Sequence, residues 1–339
     1  MSEKIVRLGH LKASNAIEFC NNDYDFNDGD SVLYDYTYLD TIEPFGMLMV
    51  ASKIREMIDS NPDVDFHSTH FRGKSYAAHM GFFQSTYLDY GNHPGEANGN
   101  DSYIPITELK IRELRKESYE RTEVVQETVE RKSRQLSNVL ARGNEKLSKY
   151  LSYSIRELMR NIVEHSDSES IWFAGQYWPT KDRVEIAILD EGVGIKQAIS
   201  FNPNLKINDD KDALLLAIEP GISGKAFMYK GRMRQQEEGI WRNSGYGLYV
   251  TSSICQYRGD FLICSGRSAL IIKDNRHDIK DTNFRGTAIR MRLRVSQINQ
   301  LSEELIEEIV RDGEMRARDN AGLSIISASK VSRMLTVKE

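Results

Sequence analysis

The chain has 339 residues, a formal net charge of −5 and 40% apolar residues. That length favours two domains over one, and the apolar content suits ordinary globular cores. The slightly acidic balance gives no electrostatic reason to expect nucleic acid or an anionic membrane as the main partner.

The N-terminal stretch MSEKIVRLGHLKASN lacks the apolar core of a signal peptide. No run approaches the ~20 apolar residues of a membrane helix, so a cytoplasmic chain with no membrane partner is expected. SVLYDYTYL (31–39) is rich in aromatic and β-forming residues and predicts a strand. EPFGMLMVASKIREMID follows with Met47, Val50, Ile54 and Met57 at helical spacing. VDFHS predicts a short strand and YAAHMGFFQSTYLDY a second amphipathic helix, which makes residues 1–100 a small α/β unit. HPGEANGNDSYIP then concentrates Gly, Pro, Asn and Asp, as a domain boundary does.

From Ile106 the chain is highly charged and free of proline up to Leu151. Glu/Lys and Glu/Arg pairs three or four apart support exposed helix faces. The sparse apolar positions predict a connector or dimerising helix over 101–146 rather than a core helix, with homodimerisation one use of it. The three cysteines, Cys20, Cys255 and Cys264, are too few and scattered for a disulfide framework or a zinc knuckle. Buried free thiols are expected.

RELMRNIVEH (156–165) places Glu157, Asn161 and His165 four apart, along one stripe of a helix. An Asn amide oxygen is a neutral ligand for Mg²⁺, which prefers oxygen and bridges phosphates. A carboxylate one turn earlier can orient or deprotonate an attacking water or hydroxyl. SIWFAGQYW and VEIAILD are strand candidates, and the second ends in Asp190 followed by Gly192 and Gly194. A buried carboxylate there can accept a hydrogen bond from an adenine amino group, and the glycines let backbone approach a purine. The dinucleotide fingerprint fails, because Gln197 stands at the third glycine's place, and no GxxxxGK[ST] loop occurs. NSGYGLYVTSSI (243–254) sets Gly245 and Gly247 at a helix start, where backbone N–H groups and the helix dipole favour phosphate or simply cap a turn. FLICSG, SALIIK and GTAIRMRLRV predict closing strands, the last opening on Gly286 and Thr287, and SQINQLSEELIEEIVRDGEMRARDNA predicts a final amphipathic helix.

The order of these pieces resembles the GHKL ATPase superfamily, named for gyrase, a heat-shock chaperone, histidine kinases and MutL. The resemblance spans roughly 147–295. It implies a two-layer α/β sandwich that binds ATP and Mg²⁺, with Asn161 holding the metal and Asp190 recognising adenine. Gly192 and Gly194 would shape the adenine pocket, Gly245 and Gly247 would face the phosphates, and Thr287 would support Asp190. Glu157 matches the general base of hydrolysing members. The section from Ile195 to Asn243 matches a mobile lid, whose Ser223, Lys225 and Lys230 could meet phosphates on closure.

Ile104–Ser152 contains no histidine, against an autophosphorylating histidine kinase, and too little chain follows Val295 for a transducer domain. RELMRNIVEHS is most similar to the anti-sigma-type serine kinases, which act on partners with a STAS domain (the fold of sulfate transporters and anti-anti-sigma factors). The N-terminal unit itself resembles STAS, with Asp40 and Thr41 at the place of that family's phosphorylation point. A helix-capping role for either residue stands beside that reading. The overall expectation is therefore α/β: a STAS-like domain (1–100), a charged helical connector (101–146), a GHKL domain (147–295) and a C-terminal helix and tail (296–339). The expected function is an ATP-binding, prokaryotic nucleotide-dependent switch acting on a protein partner, with hydrolysis at Glu157. Two rivals stand beside it, a protein serine/threonine kinase and an ATP-gated binding module without turnover.

Overall fold

The computed structural model describes residues 3–97, 102–230, 232–234, 244–302, 304–319 and 328. The first hundred residues alternate strand and helix: β1 (Glu3–Arg7), α1 (Ala13–Asn21), β2 (Ser31–Asp35), α2 (Pro44–Ser60), β3 (Asp65–Thr69) and α3 (Ser75–His79). The strands form a parallel sheet in the order β1-β2-β3. Pro44 opens α2 at a position where its missing N–H is no loss. Every residue from Pro44 to Arg55 is buried. A helix buried all round must be covered on both sides. α2 packs on the strands of a second, larger sheet and shares one core with Val6, Val32 and Tyr34 of the parallel sheet.

That second sheet is antiparallel with five strands, β4 (Tyr103–Lys110), β5 (Ser170–Trp178), β6 (Arg183–Asp190), β9 (Gly259–Lys273) and β10 (Arg276–Arg294), in the order β4-β5-β6-β10-β9. Between β4 and β5 run α4 (Ile111–Glu120), α5 (Val125–Ala141) and α6 (Glu145–His165). Between β6 and β9 come α7 (Gly194–Ser200), α8 (Asp210–Ala217), the short hairpin β7 (Phe227–Tyr229) and β8 (Arg232–Arg234), and α9 (Gly247–Arg258); α10 (Val295–Ile298) and α11 (Leu305–Asp319) follow β10. The fold is mixed α/β.

Period-two alternation divides the sheet's faces. Ile186, Ile188, Ile289, Met291 and Leu293 join the core beneath α6 and α9, while Ala187, Leu189, Leu262, Cys264 and Ala288 join the core shared with α1 and α2. The expected boundary near residue 100 therefore divides the chain but not the core, and the C-terminal sandwich has its second face covered by the N-terminal unit.

Three local expectations are corrected. The 101–146 stretch begins with an edge strand, β4, whose Pro105 suits an edge because an edge strand can spare an N–H. Its helix α5 is also no exposed connector. It packs along α6 through small residues, with Ser133 Oγ 3.4 Å from Ser152 Oγ and Ser137 Oγ 3.4 Å from Ser148 Oγ, so the contact face carries few apolar side chains. The helix expected over YAAHMGFFQSTYLDY is only α3, after which the chain turns through a short 3₁₀ segment, Gln84–Thr86. Thr41 caps no helix either, since the N-cap of α2 is Glu43. All three cysteines are buried free thiols. Among the described residues no helix is long and apolar enough to cross a membrane.

Candidate functional site

α6 starts where the Asn144 side chain accepts the Leu147 N–H, at 3.0 Å, and runs to His165. The predicted stripe faces one cleft, closed by α7, the start of α9 and the ends of β6 and β10. Glu157, Asn161 and His165 line it together with Asp190, Gly194, Ser223, Gly245, Gly247 and Thr287. Residues from five separate stretches of the sequence thus meet at one place.

The end of β6 is tightly determined. Asp190 lies directly opposite Thr287 in the β6–β10 ladder and is 2% exposed. Its Oδ1 accepts the Gly192 N–H at 2.9 Å, and the Thr287 hydroxyl and backbone also bond to it. Burial pushes its carboxyl up to about 7, against the opposing pull of these hydrogen bonds. Gly286 precedes Thr287 at φ +88°, and a Cβ there would stand 2.1 Å from the Asp190 carbonyl oxygen. Only glycine lets the two strand ends close on each other in this way.

The start of α9 meets α6 with similar closeness. A Cβ at Gly247 would lie 2.4 Å from Glu157 Oε2, so the missing side chain keeps space between the helix N-terminus and that carboxylate. Glu157 is 5% exposed, and its Oε1 accepts from Arg156 Nε at 3.1 Å. Arg156 is itself fully buried and reaches Glu130 of α5 at 3.1 Å. The acid that faces the cleft is therefore one end of a buried Glu–Arg–Glu relay. The Asn161 side chain has no hydrogen-bond partner among the described residues, and the residue is half-buried. His165 is held down to about 4, chiefly by burial and then by the charges of Lys225 and Arg160, so it is neutral at pH 7.

Two expected cleft residues do other work. Gly192 is pressed against the loop after α6, where a Cβ would meet the Ser166 carbonyl oxygen at 1.9 Å, and its N–H holds Asp190. Lys225 turns its ammonium onto the carbonyl of Glu164 rather than into the cleft. Ser223 lines the cleft, but its hydroxyl also accepts the N–H groups of Lys225 and Ala226, each at 3.2 Å. The section expected to be a lid is in part core: Ala213, Leu214, Ala217, Ile218 and Ile222 are buried, and Asp210 bonds the Arg267 N–H at 2.9 Å. Residues 235–243 of that section, including Asn243, lie outside the described residues. Lys230 is exposed.

Several site residues were missed in the sequence. Arg160, 4% exposed, lines the cleft in an ion pair with Glu164 at 3.0 Å; its place next to Asn161 in RELMRNIVEH was the available signal. Ser265 links two glycine turns, donating to the Gly286 carbonyl at 2.8 Å and accepting the Ile195 N–H at 2.9 Å. Its signal is tertiary, since β9 must first pair with β10. Glu191 is gripped from the N-terminal layer by Ser52 Oγ at 2.6 Å and by Arg55. Among His, Cys, Asp and Glu of the described residues there is no cluster of three suited to a metal ion. Compared with known proteins, the chain matches no protein-family model and no curated relative.

Proposed function

We propose that the cleft binds ATP with Mg²⁺, and that the chain is a GHKL-type, nucleotide-dependent switch for a protein partner with slow turnover at Glu157. The observation that carries this reading is the convergence, in one cleft, of the Asp190–Thr287 pair, the Glu157/Asn161 stripe and the glycine-opened start of α9. The residues suit the ligand. Asp190 offers a buried carboxyl to a base amino group, the backbone N–H groups at the start of α9 suit phosphate oxygens, and the Asn161 amide, which has no partner among the described residues, suits a cation that takes its other ligands from phosphate and water. When bound, Mg²⁺ would withdraw charge from the terminal phosphate and fix its geometry.

Glu157 is the acid placed to accept a proton from an attacking water. Its Oε1 already accepts from Arg156 Nε at 3.1 Å, so one carboxylate oxygen is committed to a protein donor, which is consistent with slow hydrolysis. The same bond supports a second reading, an ATP-gated binding module without turnover. An internal kinase acceptor at Thr41 is disfavoured by position. Thr41 belongs to the layer on the far face of the sheet, its N–H on His10 Nδ1 at 3.2 Å, so transfer to it requires another copy of the chain.

Labelled ATP follows the terminal phosphate in wild type, Glu157→Ala and Asn161→Ala. Wild type is expected to release free phosphate. Glu157→Ala should bind ATP without releasing it, and Asn161→Ala should lose Mg²⁺-dependent binding. Release that survives Glu157→Ala removes it as base, and ATP binding unchanged by Asp190→Asn overturns the nucleotide reading itself.

A further inference from the structure

The edges of the two sheets are finished differently. In the large sheet, β4 carries Pro105 and a break in register between Ile104 and Thr107. At its other edge, β9, the Asp210 carboxylate takes the Arg267 N–H at 2.9 Å. A proline, a bulge or a covering group keeps an edge strand from pairing with another chain. β1, an edge of the parallel sheet, has a plainer sequence, EKIVR, without proline, and its register with β2 is unbroken.

The Leu8 N–H donates to the Asp35 carbonyl of β2 at 2.9 Å. Successive residues of a strand turn their backbone groups to opposite sides. Lys4 and Val6 therefore bond toward β2, and Glu3, Ile5 and Arg7 turn their N–H and C=O groups outward. Among the described residues nothing outside the sheet bonds to these three backbones. A cavity of about 320 Å³ lies alongside, lined by Ile5, Arg7 and Gly9 of this edge and by Asn15 and Glu18 of α1, so the edge is reachable. Val6 belongs to the core shared with α1 and α2, which puts the Glu3, Ile5 and Arg7 side chains on the other face. All three are exposed, Ile5 at 48%, and neither Glu3 nor Arg7 has an ion pair among the described residues.

We propose that β1 pairs antiparallel with β1 of a second copy of this chain, about a two-fold axis at Ile5. Charges on an edge ordinarily repel a second strand, but here they match. Centring the pair on Ile5 sets Glu3 opposite Arg7 of the second copy, Arg7 opposite its Glu3, and Ile5 opposite itself. These are the residues with outward backbone, so each facing pair exchanges both of its hydrogen bonds. Opposite charges face each other twice, and the exposed isoleucines meet at the centre. Such a contact is self-complementary, as a two-fold interface requires. Moving the centre to Lys4 or Val6 sets Ile5 against Glu3 or Arg7 and loses both charge pairs. β3, at the other edge, has no such match, because the same pairing about His67 sets Asp65 opposite Thr69. The dimer carries one sheet of six strands in place of two of three. It uses the N-terminal layer rather than the helices of 101–146, and it does not rest on the nucleotide reading.

The test is the mass of the full chain in solution, by analytical ultracentrifugation over a concentration series at low ionic strength. Wild type is compared with Glu3→Arg, Arg7→Glu and the exchange Glu3→Arg/Arg7→Glu, all at exposed side chains. Wild type is expected to dimerise as concentration rises. Either single substitution sets like charges opposite each other twice and should weaken self-association by roughly ten-fold or more. The double exchange restores both pairs and should dimerise as wild type does. The two single variants, mixed, present complementary edges and should form a one-to-one heterodimer, which also shows that each is folded. A wild type that stays monomeric overturns the proposal. So do single variants that self-associate as tightly as wild type, and so does a mixture of them that stays monomeric.

Discussion

The two faces of the five-stranded sheet use polar residues in opposite ways. On the face toward α1 and α2, Glu185, Arg290 and Arg292 are charged and buried or nearly so, and each is joined to a protein partner. On the face toward α6, the Asn161 amide has no partner among the described residues and Asp190 stands at the wall of an open cleft. The difference teaches that buried charge alone does not mark a ligand site. The sheet's own strands bury Glu185 and Arg290 on the back and Asp190 on the front, yet the charges on the back are consumed in ion pairs and in fastening the N-terminal layer.

The comparison breaks first at Arg156, which is fully buried on the cleft side and serves Glu130 and Glu157 at once. Arg156→Met leaves the buried Glu157 without its cation and Glu130 with Arg134 alone, and is expected to cost about 3–5 kcal/mol in urea unfolding. A loss below about 1 kcal/mol would mean that the relay is solvated and that Glu157 is not held by it. Adding Glu130→Gln to this variant should recover part of the loss.

The second effect crosses the sheet. Arg55 donates to the Ser85 carbonyl at 2.7 Å, stacks 4.0 Å over the ring of Trp172 and grips Glu191. Glu191 is the residue after Asp190, so the N-terminal layer touches the turn that presents the cleft acid. Arg55→Ala is expected to lower stability by about 1–2 kcal/mol and, on the nucleotide reading, to weaken ATP binding roughly three- to ten-fold by loosening that turn. An affinity unchanged in calorimetry would show that the two faces act independently.

The smallest effect is in wild type and becomes visible only on mutation. Asp190 is raised from 3.8 to about 7 and His165 lowered from 6.5 to about 4. The folded state holds the Asp190 proton that the unfolded state has released, so this group's contribution is full below pH 3.8 and is lost as pH rises through 7. His165 does the reverse, with its contribution full above pH 6.5 and lost as pH falls through 4. Between pH 4 and 6.5 the two slopes oppose. His165→Gln should make stability fall with rising pH across that window, and Asp190→Asn should make it rise. Parallel pH profiles for both variants would contradict the assigned environments.

Much of the cleft was legible because helical periodicity is local. Glu157, Asn161 and His165 share a face by their spacing alone, and the strand end at Asp190 announces itself by an apolar run meeting two glycines. The serine stripe of α5 was not legible, since Ser133 and Ser137 pack against Ser152 and Ser148 with no apolar signature. The burial of α2 on both sides had a signal in PFGMLMVASKI, apolar all round, but the sequence could not say which surface would cover it.

The sequence by itself determined the elements around the cleft and the residue types at their ends, because those depend on neighbours one or two turns away. Tertiary structure alone decided that Thr287 stands opposite Asp190, that Arg156 bridges Glu130 to Glu157, that Lys225 points away, and that the N-terminal unit seals the back of the sheet. Strand register and layer packing are settled by contacts between residues far apart in the chain, and no local pattern carries that information.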